Sequence, residues 1–370
     1  MFGIILISAC TLIHIYVFWR AASVPVVDRR LPRKLLAGAG VTLWAIFFSA
    51  RVVGHGGTGT LAGMLELVGM NWMAVLFLTF ISLLAVDLVT VFGFLMPRRA
   101  PSLRGWALAV GGALSLIALF QGLRPPVVQN YNVTLRGLSD EMDGTVLVAM
   151  SDLHLGSQLG ERWLADRVAE VKAQRPDLVV LLGDIFEGHR QPQGELLLTL
   201  GRLSAPLGVW VVPGNHEFHE GQGTSISLME EAGLHVLRDR WAEVRPGLVL
   251  AGVDDLTALR RAADRRDSIS QALTGRPPGA TILLSHTPWQ AERAASAGVG
   301  LMLSGHTHGG QVWPFGYLTR LIYPLLEGRY ELSGITVIVC RGTGTWGPRM
   351  RLWRPSEILR VTLQGKEKRT

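Results

Sequence analysis

Five short polar clusters in the second half of the chain contain side chains of the types that bind metal ions. Each cluster follows a run of apolar residues that predicts a buried β-strand. The clusters are Ser151-Asp152-Leu153-His154, Gly183-Asp184, Pro213-Gly214-Asn215-His216-Glu217, Ser285-His286 and Ser304-Gly305-His306-Thr307-His308. Because ligands gather at the carboxyl ends of strands in α/β sheets, we expect these clusters to meet at one site.

The clusters supply two carboxylates, one carboxamide and four imidazoles as candidate ligands, namely Asp152, Asp184, Asn215, His154, His286, His306 and His308. A single Asp-x-His or Gly-Asp pair is common on surfaces and in turns, so the inference depends on the whole set. Buried together without a partner, such groups would each cost about 1–3 kcal/mol. Mixed oxygen and nitrogen ligands favour manganese, iron or zinc over calcium or magnesium. We therefore predict a centre of divalent metal ions.

Two ions about 3.5–4 Å apart can share one carboxylate and one water molecule. The shared water would be acidified to hydroxide, and the ions would stabilise both the attacking and the leaving oxygen of a phosphoryl group. The predicted reaction is the hydrolysis of a phosphate ester or anhydride by attack of a metal-bridged hydroxide.

The elements that must position these ligands are predicted from alternating apolar runs and helical patterns. Strands are predicted at Val146–Met150, Leu178–Leu182, Val209–Val212, Val249–Val253, Thr281–Leu284, Leu301–Leu303, Ile335–Cys340 and Ile358–Leu363. Helices are predicted at Glu161–Gln174, Glu195–Leu203, Ser225–Glu231 and Asp264–Leu273. This order indicates an α/β fold in which two β-sheets pack as a sandwich flanked by helices.

The first third of the chain contains four long apolar runs, at Phe2–Trp19, Leu35–Val53, Leu67–Met96 and Trp106–Leu123. Each approaches or exceeds the roughly 20 residues that cross a bilayer as a helix. Pro125 and Pro126 then end the last run. We predict a region of four transmembrane helices at residues 1–124, a linker and entry strand at 125–144, and a catalytic domain at 145–370.

Charge divides unevenly between these regions. Residues 1–124 hold ten bases and three acids, so the net charge of +7 lies there, and the other 26 bases and 26 acids balance. A neutral catalytic half does not favour nucleic acid as a partner, because binding to phosphate backbones requires surplus basic residues.

The bases of the apolar third gather in the loops between spans one and two and between spans three and four. The positive-inside rule places both loops in the cytoplasm and everything after the fourth span on the opposite side. We therefore predict a multi-pass protein of the cytoplasmic membrane with an extracytoplasmic catalytic domain.

Asp87 lies within the third apolar run and has two interpretations. A carboxylate inside a span can mark a path for protons or ions. It can also pair with a neighbouring helix or lie near the membrane interface. The sequence leaves both interpretations open.

The five clusters resemble the five motifs of the calcineurin-like metallophosphoesterase superfamily, and the resemblance covers roughly residues 145–365. The runs His308-Gly309-Gly310-Gln311 and Arg341-Gly342-Thr343-Gly344 are similar to the bacterial membrane-associated or exported branch. Multi-span regions before the catalytic domain are familiar in that branch and in the animal transmembrane metallophosphoesterases.

The resemblance implies a role for each site residue. It implies that Asp152, His154 and His308 hold the first metal ion, that Asp184 bridges both ions, and that Asn215, His286 and His306 complete the second. It also implies that His216 contacts the phosphate and protonates the leaving oxygen. Glu187 stands where many relatives have an aspartate that pairs with this histidine.

The leading functional hypothesis is hydrolysis of a phosphodiester, pyrophosphate or phosphomonoester on a lipid-linked substrate. Four spans exceed what an anchor requires, and they would concentrate the site beside lipid headgroups. Membrane lipid and a phosphorylated substrate are thus the expected partners. The alternatives are a nuclease or nucleotidase and a non-catalytic metal-binding membrane sensor. No pattern in the sequence indicates the oligomeric state.

Overall fold

The computed structural model describes residues 2–54, 59–187, 194–218 and 222–365. The described residues form two compact units. The first contains residues 2–123 together with Gly347–Trp353, and the second contains the rest from Arg124 onward. The domain boundaries at residues 124 and 145 stay a prediction.

The first unit is helical. Its helices are α1 Phe2–Ala22, α2 Pro25–Arg30, α3 Arg33–Ser49, α4 Thr60–Val89 and α5 Ala100–Gly122, and a π-helical turn at Ala50–Gly54 continues α3. Four of them are long and apolar enough to cross a membrane, namely α1, α3, α4 and α5. The third span differs from its prediction because α4 begins earlier, at Thr60, and ends at Val89. Val91 and Phe92 have φ angles of 48° and 55°, which are incompatible with a continuing right-handed helix.

Asp87 of α4 is fully buried and has three side-chain partners. The Nε atom of Arg20 lies 2.6 Å from its Oδ2, and the Nε–H of Arg104 donates to its Oδ1 at 2.9 Å. The hydroxyl of Tyr16 donates to Oδ2 at 2.6 Å. These contacts join α1, α4 and α5. They match the interpretation in which Asp87 pairs with neighbouring helices.

The second unit contains two six-stranded sheets in its described residues. The strands are β1 Val127–Leu135, β2 Val146–Met150, β3 Leu178–Leu181, β4 Val209–Val211, β5 His235–Val236, β6 Arg240–Arg245, β7 Leu248–Gly252, β8 Ala280–Leu284, β9 Leu301–Ser304, β10 Gly328–Leu332, β11 Ile335–Val339 and β12 Glu357–Gly365. One sheet has the order β1-β12-β2-β3-β4-β5, and the other has the order β10-β11-β9-β8-β7-β6. The predicted two-sheet α/β architecture is confirmed.

Helices cover the sheets, and the strand residues alternate between two apolar layers. The helices are α6 Glu161–Ala173, α7 Gly194–Leu200, α8 Gln222–Glu231, α9 Leu256–Arg261, α10 Ser268–Leu273, α11 Ala291–Ser296 and α12 Gly316–Ile322. Leu147 of β2 packs with Leu250 and Ile282 of the opposite sheet. The next residue, Val148, packs with Leu164 of α6. This period of two is what a strand buried on both faces requires.

Parallel pairing brings the polar clusters to one edge of each sheet. Strands β2, β3 and β4 are parallel neighbours, and so are β7, β8 and β9. The loops after β2, β3, β4, β8 and β9 carry the five clusters. The carboxyl ends of these strands are therefore the foundation of the site.

Candidate metal centre

Three of the predicted ligands form a first group. His308 Nε2 lies 3.3 Å from Asp152 Oδ1, and His154 Nε2 lies 3.2 Å from His308 Nε2. All three side chains are buried. Each offers one donor atom, and these atoms lie within 4.8 Å of one another. Such spacing lets one cation contact all three.

A second group forms around Asp184. Its Oδ2 lies 3.2 Å from His286 Nε2, and His306 Nδ1 lies 3.1 Å from the same His286 nitrogen. The Oδ2 of Asp184 also lies 3.9 Å from Nε2 of His154 in the first group. Asp184 is thus close to both groups, as the bridging role implied by the sequence resemblance requires.

Asn215, the remaining predicted ligand, lies in the loop after β4. The backbone N–H of the next residue, His216, donates to Asp184 Oδ1 at 2.8 Å, which fixes this loop against the carboxylate of Asp184. The side chain of Asn215 is 6% exposed, and its Oδ1 has no hydrogen-bond partner. A buried acceptor without a partner is rare, and a metal ion would satisfy it.

Hydrogen bonds orient two of the imidazoles. His286 Nδ1–H donates to the carbonyl oxygen of Leu182 at 2.6 Å, and His154 Nδ1 lies 2.5 Å from Glu187 Oε2. In both rings the remaining nitrogen, Nε2, therefore faces the other candidate ligands, and its lone pair becomes available to a metal ion once the ring loses its second proton. This arrangement of outer partners is typical of metal-binding histidines. The donor set fits a metal centre.

The backbone at five of these residues lies in the left-handed region. The φ angles are 54° at Asp152, 46° at His154, 51° at Asp184, 71° at His306 and 50° at His308. Each such conformation costs a non-glycine residue about 1–3 kcal/mol. The fold therefore holds its sharp turns at the ends of β2, β3 and β9, where they aim the side chains at one another.

The profile of the calcineurin-like phosphoesterase family matches residues 145–310. An uncharacterized metallophosphoesterase of Aquifex aeolicus is 36% identical over 249 residues, which cover 65% of this chain and 92% of that protein. The chain belongs to the calcineurin-like metallophosphoesterase family. The family resemblance stated from the sequence is therefore confirmed, and the protein is a metal-dependent phosphoester hydrolase.

The name of a second relative describes a transmembrane protein that contains a metallophosphoesterase domain. A transmembrane protein with metallophosphoesterase domain from Danio rerio is 32% identical over 270 residues, covering 70% of this chain and 62% of that protein. Among solved structures, a dimetal phosphatase from Danio rerio aligns with 54% of this chain and 88% of its own. Its sequence identity is 14% and its TM-score is 0.34, which is a distant likeness. Metallophosphoesterases have a dinuclear divalent metal centre.

In the metallophosphoesterase site, buried carboxylates and imidazoles lie close together and their charges offset one another. Burial opposes ionisation of Asp184, but the charges of His286 and His216 hold its pKa well below the usual value. Burial likewise opposes the charged form of His154, yet Glu187 and the two site aspartates raise its pKa to about 9. Without a metal ion, protonated histidines offset the carboxylates. A divalent cation can take over that role.

Glu187 contacts two histidines. Its Oε2 is 2.5 Å from His154 Nδ1 and 3.4 Å from His216 Nδ1. The sequence resemblance paired Glu187 with His216 alone, and the structure places it closer to His154. His216 Nε2 lies 3.9 Å from Asp184 Oδ2, and donor atoms of His216, His154 and Asp184 lie within 4.8 Å of one another. Glu187 therefore orients a candidate ligand and borders the candidate proton donor.

Glu217 is a supporting residue to which the sequence analysis assigned no role. Its two carboxylate oxygens accept four backbone N–H groups at 2.8–3.2 Å, from Asp184, Ile185, Phe186 and Gly214. The side chain is 3% exposed, and burial together with the charge of Asp184 raises its pKa. One carboxylate thus fastens the loop that carries Asp184 to the loop that carries Asn215.

Tyr323 is a second residue without a sequence signal. Its hydroxyl lies 2.8 Å from His306 Nε2, the ring nitrogen opposite the one that faces His286. Its ring stacks on Trp289 with centroids 5.3 Å apart. A single tyrosine outside any motif carries no sequence signal of its role. Only the fold shows that Tyr323 lies where it can orient His306.

Proposed function

We propose that the seven candidate ligands hold two divalent ions, manganese, iron or zinc, and that the enzyme hydrolyses a lipid-linked phosphodiester, pyrophosphate or phosphomonoester. The observation that carries the proposal is the position of Asp184. Its Oδ2 is 3.9 Å from His154 and 3.2 Å from His286, which belong to different donor groups. A carboxylate in that position can serve two cations at once.

Bound divalent ions would supply an acidified water and neutralise charge on the phosphoryl oxygens. The chain itself would supply orientation and a proton. His216 borders the site through Nε2, so this atom is positioned to protonate the leaving oxygen of the substrate. Glu187 Oε2 lies 3.4 Å from Nδ1 of the same ring, and this contact would keep Nε2 directed at the site.

The lipid-linked class of substrate is inferred from the candidate membrane spans that the chain carries in addition to the site. Four helices of this chain are apolar and long enough to cross a bilayer. A site tethered in this way meets phosphates of membrane lipids at high effective concentration. The balanced charge of residues 125–370 does not favour a polyanionic nucleic acid as the substrate.

The test of hydrolysis is an assay of the purified full-length protein with Mn²⁺ and bis(p-nitrophenyl) phosphate. Asp184→Asn should reduce kcat/KM by about 100-fold or more, because it removes charge shared by both donor groups. The control is Asp166→Asn, an exposed aspartate on α6, which should leave kcat/KM unchanged. Equal activity of all three proteins contradicts the proposal, and tight metal binding without turnover favours the sensor alternative.

The lipid-linked class has its own experiment. Lipid extracts of a strain that lacks the gene are compared, without preselection, with extracts of its parent. We expect a phosphate-bearing lipid to accumulate in the deletion strain and to return to the parental level when the intact gene, but not the Asp184→Asn gene, is restored. Unchanged lipid phosphates alongside accumulating nucleotides would contradict the lipid-linked class.

A further inference from the structure

Exposed apolar side chains in the second unit are concentrated in one segment. Among its described residues, seven large apolar side chains are exposed, and five of them lie in residues 315–322, here called the apolar segment. They are Phe315, Tyr317, Leu318, Leu321 and Ile322, with exposed fractions of 46%, 66%, 56%, 81% and 61%. The other two, Val127 and Leu198, are isolated from this segment in sequence. Such a concentration is typical of a surface that meets an apolar partner.

The apolar segment is fastened at both ends to the metal site. At its start, Gly316 packs so closely on Gly310 that a Cβ on Gly310 would collide with the Gly316 Cα. At its end, Tyr323 reaches His306 Nε2 at 2.8 Å. The segment contains the whole of helix α12, so its backbone is regularly hydrogen-bonded. The exposed side chains of the segment therefore lie on a helix that is held in place beside the candidate ligands.

The chain itself indicates a bilayer as the apolar partner. Its four candidate spans would anchor the enzyme in a membrane whatever its substrate is. Helix α5 ends at Gly122 and β1 begins at Val127, so four residues of the chain join the last candidate span to the sheet. The composition of the segment also fits a membrane interface, since aromatic residues flank leucine and isoleucine and Arg320 is its one charged side chain.

We propose that the apolar segment inserts into the boundary between headgroups and acyl chains of the bilayer, and so presents the metal centre to lipid phosphates. The insertion is argued from the exposed surface and the candidate spans, and it does not rest on the proposed function. Its consequence for the substrate rests on the proposed function, because a site held at headgroup depth selects phosphate groups carried by lipids. An interfacial helix of this kind is stabilised by the apolar area that it buries and by attraction of its basic residue to anionic lipid.

The experiment measures depth in a bilayer. Full-length Leu321→Cys protein is labelled with a nitrobenzoxadiazole dye and reconstituted in phosphatidylcholine–phosphatidylglycerol nanodiscs with chelator present. We expect lipids with a spin label high on the acyl chain to quench the dye at least about twofold, with a blue-shifted emission. Leu318→Cys, on the same helix, should respond in the same way.

The matched control is Leu198→Cys, which is 71% exposed on α7 in the same unit and should remain quenched by aqueous iodide but not by the spin-labelled lipids. The parent protein sets the labelling background, because Cys10 and Cys340 are both buried. If positions 318 and 321 behave like position 198, the proposal is overturned. Oxidative cross-linking of Leu321→Cys between two chains, without quenching by lipid, would overturn it in favour of a second copy as the partner.

Because the depth measurement needs no turnover, its outcome is separate from that of the nitrophenyl assay. Quenching without hydrolysis supports insertion and contradicts the proposed reaction. Hydrolysis without quenching supports the reaction and overturns insertion.

Discussion

At the scale of single residues, side-chain type and position after a strand predicted the candidate ligands. Asp152 and Asp184 follow buried strands directly, and the structure places both in donor groups. The same pattern did not identify Glu217 and Tyr323. Glu217 contacts backbone amides, and Tyr323 contacts the edge of the His306 ring. Such contacts depend on how loops fold back in space, and no spacing in the sequence encodes them.

Tyr323 should act as a positioning residue for His306. Its hydroxyl lies 2.8 Å from His306 Nε2, so when a metal ion takes the lone pair of Nδ1, the Nε2–H can donate to the tyrosine oxygen and hold the ring in place. Tyr323→Phe should weaken binding of the second Mn²⁺ about tenfold, measured by calorimetry on the metal-free protein. Tyr317→Phe on α12 is the control and should bind both ions normally. Identical metal affinities for the two variants would exclude the positioning role.

Metal binding should depend steeply on pH. Burial opposes protonation of His154 and His286. Glu187 and the site aspartates nevertheless raise the pKa of His154 to about 9, and Asp184 and Asp152 hold the pKa of His286 well above its usual value. Both rings are therefore protonated at pH 7 without metal, and both must lose a proton to bind it. Burial and the charge of His286 lower the pKa of His306 to about 4, so this ring releases none.

Affinity should thus rise from pH 7 towards pH 9. Calorimetry at pH 7 in two buffers of different ionisation enthalpy should report about two protons released when the centre fills. A value near zero would show that the histidines are neutral before metal binds.

At the scale of elements, strands with a clear apolar run were predicted from the sequence, and strands without one were not. The predicted strands that carry the clusters are present, whereas β5, β6 and β10 had no clear apolar pattern. Residues 240–245 of β6 alternate exposed with partly buried side chains, as an edge strand does, so hydrophobicity is a weak signal there. Helix α12 was also missed, because its exposed apolar residues resemble a packed loop more than an amphipathic helix.

Glu217 determines how the loops after β3 and β4 fit together. Replacing it with alanine leaves four buried N–H groups without their acceptor, which should lower the free energy of unfolding by about 3 kcal/mol. For a unit of this size, that corresponds to a fall in Tm of about 6–12 °C. Thermal unfolding of the metal-free protein followed by tryptophan fluorescence measures the change. Glu195→Ala, at an exposed position of α7, should leave Tm within about 2 °C, and a matching Tm for Glu217→Ala would refute the fastening role.

At the scale of the whole molecule, the sequence predicted the family, the two-sheet fold and the four apolar helices. It did not predict that the segment Gly347–Trp353 groups with the four apolar helices. Within that unit, the N–H of Arg351 donates to the carbonyl oxygen of Ala118 at 2.9 Å, and the N–H of Trp353 donates to Gln121 Oε1 at 2.8 Å. These pairs are separated by more than two hundred residues, which puts them beyond any local pattern.

The arrangement across the membrane follows from the loop charges. If both basic loops lie in the cytoplasm, as the positive-inside rule predicts, we expect the catalytic unit to lie on the opposite side. Alkaline phosphatase fused to the C-terminus should therefore be active in intact bacterial cells, and green fluorescent protein fused there should be dark. The same reporters fused after Arg99, in the second basic loop, should show the reverse. A fluorescent C-terminal fusion would contradict the predicted sidedness.

One chain is proposed to hold two metal ions that share Asp184. Elemental analysis of the purified full-length protein, dialysed after loading with Mn²⁺, measures how many ions each chain retains. We expect two ions per chain, with fewer retained by Asp184→Asn and two retained by Asp166→Asn. A wild-type protein that retains one ion or none, or an Asp184→Asn protein that retains both, would contradict the proposal.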